Sequence, residues 1–189
     1  MSRLMRHSPL GLTEAQFSDA GASISEERFL GIASIATRAL SPEVRERLET
    51  ALGATIPDVP NQVVSNGAVD IAWTAPGEWL LLGEESAVDV LCVNAREALH
   101  GAMAIVAPLS HGKIAFRVSG EKARAILSSL MPLDFHHRAF HPATSARSLF
   151  GECAAFVQMI DGEPTFRVVV DQSYAEYAFT LLKDAAEAA

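Results

Sequence analysis

The densest group of side chains able to do chemistry is Asp134-Phe135-His136-His137-Arg138-Ala139-Phe140-His141. On a helix His137 and His141, four apart, could share one Zn²⁺ or Fe²⁺, with Asp134 as a third ligand. The surroundings argue against it. Pro132 and Pro142 bracket the stretch, the HExxH pattern is absent, and Arg138 would bring positive charge to the metal. The segment reads as a solvated loop or partner-contact surface. Ser110-His111-Gly112 sets a hydroxyl beside an imidazole, but adjacent residues of a strand point to opposite sides, and no GxSxG elbow or orienting carboxylate accompanies them. A turn is the simpler reading. Gly112 and Gly120 fit neither GxGxxG nor the GK[ST] ending of a P-loop, so no phosphate cradle is expected. Trp73 and Trp79 have the flat area to stack on a flavin or pterin, yet Trp73 falls in phase with Val69 and Ile71, which favours core packing. Cys92 and Cys153 lack CxxC spacing and read as free, buried thiols. Catalytic, cofactor-binding and metal-binding residues are accordingly all assigned as none.

The elements that position these residues follow from periodicity. Residues 29–37 are apolar and β-branched enough for a strand, and Ser41-Pro42 then supplies an N-cap and first helical residue. Val44, Leu48 and Leu52 make one helical stripe that Gly53 closes. Pro57 and Pro60 mark a loop, Asn66-Gly67 a hairpin turn, and Val69, Ile71 and Trp73 a half-buried strand. Pro76-Gly77 reverses the chain into Trp79-Leu80-Leu81-Leu82. Ser86 and Asp89 are spaced to open a helix that turns Val88, Leu91, Ala95 and Leu99 inward and ends at Gly101.

After a connecting apolar run over residues 103–106 the same order returns. Ile114, Phe116 and Val118 alternate as a strand, and residues 119–122 launch a helix with Ala123, Ile126, Leu127 and Leu130 inward. Residues 132–142 are looser. Strands over 153–160 and 165–170 meet at Asp161-Gly162, and Ser173 with Glu176 forms a capping box for a last helix turning Tyr177, Ala178, Leu181, Leu182 and Ala185 inward. Two strand-helix-strand-strand-helix runs predict an α+β fold, helices covering one face of largely antiparallel sheets. One domain is expected over residues 23–189, with halves at about 23–108 and 109–189, behind a mobile arm at 1–22.

The chain has 189 residues, 49% of them hydrophobic, ample for a continuous core. Fifteen basic against 23 acidic residues leave a net charge of −8, which disfavours nucleic acid and anionic lipid as partners. Apolar runs stop short of the ~20 residues that cross a bilayer, and no signal-peptide core forms, so a cytoplasmic location is expected.

Four segments carry a family resemblance: residues 73–82, from Trp73 to Leu82; residues 114–124; Met131-Pro132-Leu133-Asp134 with Phe140; and residues 167–177, from Arg167 to Tyr177. In order and spacing, over about residues 25–185, they resemble the gamma subunit of heterotetrameric sarcosine oxidase. Pro108 departs from the pattern, since many relatives have an acidic residue ahead of this turn. The resemblance implies two ferredoxin-like halves like the folate-binding domain of glycine-cleavage aminomethyltransferases. It also implies a non-catalytic role beside alpha, beta and delta subunits, with FAD, FMN, NAD and tetrahydrofolate held by those partners. No family catalytic residue carries over. The expected interface comprises the arm, the loop with Asp134, His136, His137 and His141, and the Pro76-Gly77 turn. Alternatives are a stand-alone folate-binding one-carbon transfer or sensing protein, and a gamma-like subunit of a related methylamine demethylase.

Overall fold

The alternation in the sequence builds two antiparallel sheets, each with two helices packed on one face. The computed structural model describes residues 7–11 and 16–189, which divide into two compact units. One is the continuous stretch Phe29–Ser110; the other joins residues up to Arg28 to His111–Ala189.

The N-terminal hairpin is β1 (Gln16–Asp19) and β2 (Ala22–Glu26). The continuous unit follows as β3 (Leu30–Thr37), α1 (Pro42–Leu52), β4 (Val63–Ser65), β5 (Val69–Ala75), β6 (Glu78–Glu84), α2 (Glu85–Ala98) and β7 (Ala104–Pro108). The chain then returns to the first unit with β8 (Lys113–Ser119), α3 (Ala123–Leu130), β9 (Ser145–Phe150), β10 (Cys153–Asp161), β11 (Thr165–Asp171), a 3-10 turn (Gln172–Tyr174) and α4 (Ala175–Ala188).

The continuous unit orders its strands β4-β5-β6-β3-β7. With β4 set aside as an added edge, this is the ferredoxin-like arrangement, in which the first strand is central and the fourth lies beside it. The other sheet runs β9-β10-β11-β8-β2-β1 and repeats the arrangement, β8 standing for β3 and β10-β11 for β5-β6. Its fourth-strand place is taken by β2, which precedes the inserted unit and pairs with β8 at Ser23↔Ser119 through Glu26↔Phe116.

Local chemistry explains most boundaries. Ser41 Oγ accepts from Val44 N at 3.3 Å, Pro42 opens α1, and Gly53 closes it at φ 68°. Leu48 and Leu52 are fully buried, each stabilising the fold by about 2 kcal/mol. Asn66 holds the β4–β5 hairpin, its Oδ1 accepting from Ala68 N and Val69 N. In the first unit, Ile24, Phe116, Val118, Ile126, Leu127, Phe166 and Leu182 form one core; in the other, Ile35, Leu48, Ile71, Trp79, Leu81 and Val88 do.

Several expectations are corrected. Residues 16–22 of the expected arm are strand and turn, while 1–6 and 12–15 lie outside the described residues. The division after Ser110 lies close to the expected one at about 108, whereas residues 23–28, expected in the first half, belong with His111–Ala189 because the hairpin completes the second half; the hairpin's Ser- and Gly-rich stretch owes its structure to pairing with β8. Residues 104–106 of the apolar run belong to strand β7, and β4 and β9, both edge strands with short apolar patterns, were not expected. Helix α2 begins directly after β6, with Ser86 in its first turn donating to Glu84 Oε1 at 2.5 Å in place of a capping box. A 3-10 turn containing Ser173 precedes α4, which has no side-chain cap. Tyr177 is exposed, its hydroxyl accepting from Glu152 N at 3.1 Å.

Candidate functional site

Ser110, both tryptophans and both cysteines, singled out for chemistry, are engaged in structure. Ser110 Oγ accepts from Ile32 N at 2.9 Å and lies 3.2 Å from Ile32 O, to which it donates, so its proton is committed to the backbone of β3. His111 is exposed. Trp79 is buried and its Nε1–H donates to Pro57 O at 2.7 Å; Trp73, its cross-strand partner, is half-buried. Both cysteines are buried and free, and burial pushes each thiol above its ordinary range, away from the nucleophilic thiolate.

The N-terminus of α3 is the place where a phosphate would bind had Gly120 belonged to a cradle. It is filled from within: Lys122 N donates to Gly21 O at 2.9 Å. Gly120, at φ 104°, lets the β1–β2 turn approach so closely that a Cβ there would clash with the Gly21 carbonyl. A protein carbonyl thus occupies the anion position.

The loop between α3 and β9 is built as an anchored display. Phe135 and Phe140 are buried against Phe166, the Phe135–Phe166 pair meeting edge-on at 5.6 Å. Arg124 on α3 donates to Phe135 O and to Phe140 O, reaches Met159 Sδ at 3.3 Å, and lies over the Phe166 ring. Between the two anchors His136, His137 and Arg138 are exposed. Asp134 Oδ1 accepts from His136 N at 2.8 Å, the His136 and His137 rings lie 4.2 Å apart, and His141 Nδ1 stands 3.1 Å from Thr144 Oγ1. The stretch is a turn, so the helical spacing imagined for His137 and His141 does not arise. Among the described residues no three of His, Cys, Asp and Glu are placed to share a metal ion.

Pro76 and Gly77 belong to the other unit. Gly77 O accepts from Thr37 N at 2.8 Å, and a Cβ on Gly77 would stand 2.5 Å from Thr37 O. Its φ of 74° and this close approach both require glycine, while Pro76 is exposed.

Sequence reasoning missed a charge cluster on β8, β10 and β11. Arg117 and Arg167 are directly paired across two strands, and Glu27 bridges them: Arg167 Nε and Nη2 donate to its carboxylate at 2.5 and 3.1 Å, and Arg117 Nη2 at 3.1 Å. Gln158 Oε1 lies 3.4 Å from Arg167 Nη1. The visible signal was two arginines inside apolar strands; the missing one was that Glu27, 140 residues from Arg167, comes back beside them. No helix among the described residues is long and apolar enough to cross a membrane.

Comparison with known proteins agrees with the fold and its repeat. No curated protein sequence matches the chain. A solved structure of heterotetrameric sarcosine oxidase from Corynebacterium sp. U-96, in complex with pyrrole 2-carboxylate, superposes with a TM-score of 0.76 at 23% identity, over 87% of this chain and 83% of that one. Glycine cleavage system aminomethyltransferase T from Bartonella henselae gives 0.65 at 14% identity, over 86% of this chain and 45% of that one. Both share the α+β fold of two ferredoxin-like halves. The sarcosine oxidase, gamma subunit family matches residues 37–188, and this chain belongs to that family.

Proposed function

We propose that the chain is the gamma subunit of a heterotetrameric sarcosine oxidase and serves its assembly, not its chemistry. The carrying observation is the family match over residues 37–188, which runs through both units. Alpha, beta and delta subunits are its partners. FAD, FMN, NAD and tetrahydrofolate belong to those chains, where sarcosine is oxidatively demethylated to glycine and folate takes the one-carbon unit. The local geometry supports this division of labour: the Ser110 hydroxyl is committed to Ile32, and the Gly21 carbonyl fills the start of α3.

The test is co-expression of the alpha, beta and delta chains with and without this one. Omission is expected to lower the yield of assembled complex. The isolated chain is expected to turn over no sarcosine and to keep its tryptophan fluorescence on addition of tetrahydrofolate. A complex of full yield and activity without this chain, or turnover by the chain alone, overturns the reading.

A further inference from the structure

The repeated fold supplies an internal control for the surface. Helices α2 and α4 hold equivalent places, each has 14 residues, and each buries its fourth and eighth: Val88 and Cys92 in α2, Ala178 and Leu182 in α4. At the sixth and ninth positions α4 carries Thr180 and Lys183, both exposed. Helix α2 carries Val90 and Val93 there, 58% and 52% exposed. The scaffold therefore does not require apolar residues at these positions, and valine is a poorer helix former than lysine. Being three apart, the two valines share one face, beside the exposed acids Asp89 and Glu97 and the exposed Arg96, whose guanidinium is turned to Val106 O.

Charge says what covers this face. Between Phe29 and Ser110 there are ten carboxylates, four arginines and no lysine, so six of the chain's eight net negative charges fall on this unit. A second copy of the chain would bring like charge against like. We propose that the outer face of α2, centred on Val90 and Val93, docks onto a larger subunit whose matching surface is apolar with a rim of lysine or arginine. The inference rests on the gamma-subunit reading and adds where the contact lies and what chemistry meets it.

The experiment co-expresses tagged alpha, beta and delta chains with the wild-type chain or with Val90→Thr/Val93→Lys, which installs the residues of α4. Glu97→Lys tests the rim, and circular dichroism of each isolated variant confirms its fold. Wild type is expected to co-purify, the double variant to lose retention by about tenfold or more, and Glu97→Lys to weaken it with reduced dependence on salt. Retention of a folded double variant equal to wild type overturns the docking face and leaves the subunit reading standing. Failure of wild type itself to co-purify overturns both. Dimerisation of the isolated chain that Val93→Lys abolishes overturns the basic partner in favour of a second copy.

Discussion

At the scale of single residues, Glu27 is the one whose loss has the clearest consequence. Its carboxylate lies between two guanidinium groups, and the side chains of Glu27 and Arg167 are only 14% and 9% exposed, against 42% for Arg117. Removing one partner of a buried ion pair strands the other charge, whereas replacing both with apolar groups restores a neutral interior. Glu27→Ala is expected to cost about 3 kcal/mol, since Arg167 and Arg117 both lose its carboxylate, and Glu27→Leu/Arg167→Met less than that single change. Urea denaturation of the full chain measures both. A double variant as unstable as the sum of its singles would mean that the pair is not coupled.

At the scale of elements, each unit ties the loop after its first helix with an arginine from that helix. Arg45 on α1 donates to Ile56 O at 2.8 Å, and Arg124 on α3 to the carbonyls of Phe135 and Phe140. Nη1 of Arg124 donates to both carbonyls while Nη2 reaches Met159 Sδ and the planar guanidinium lies over the Phe166 ring, a combination that a compact, non-planar ammonium cannot reproduce. Arg124→Met is expected to destabilise the chain by about 2 kcal/mol and to speed amide exchange over residues 135–141, with β10 and β11 unchanged. Arg124→Lys should recover less than half of that loss. Equal exchange speeding in β10 and β11 would show that the arginine supports the sheet instead of the loop. None of this was legible in the sequence, because an arginine's reach to a carbonyl eleven residues on leaves no periodic trace. What was legible is what repeats: Ser41-Pro42 at a helix start, the stripe of Leu48 and Leu52, and the alternation of Ile114, Phe116 and Val118. Edge strands β4 and β9 escaped because an edge shows one partner and half the burial, and Tyr177 misled because helical spacing does not say how far a ring extends. Of the expected surface, the Asp134, His136, His137 and His141 loop is exposed as read, whereas Gly77 is bound to Thr37.

At the scale of the whole molecule, the order of strands in the chain departs from their order in the fold. In the continuous unit the fourth ferredoxin-like strand, β7, follows α2, whereas in the other unit the same place is filled by β2, made before the insert begins. Residues 16–28 bring that unit the buried Ala22 and Ile24, the Gly21 carbonyl at the start of α3, and Glu27 for Arg167. Deleting residues 1–28 should leave β8 an open edge and take Glu27 away from Arg117 and Arg167, so the β8 amides lose protection while those of β3 and β6 keep theirs. Connectivity itself is not what matters, since loop closure costs little and depends weakly on length. A permutant that starts at Phe29 and carries residues 16–28 after Ala189, through a flexible linker of about 15 residues spanning roughly 20 Å, should therefore regain the protection of β8. It would reproduce in the unit of His111–Ala189 the strand order that the continuous unit already has. Hydrogen exchange on the full chain, the deletion and the permutant separates the outcomes: protection of β8 in the deletion equal to the full chain would show that β2 is dispensable, and a permutant no better than the deletion would show that residues 16–28 act through their position in the chain and not through the strand they supply.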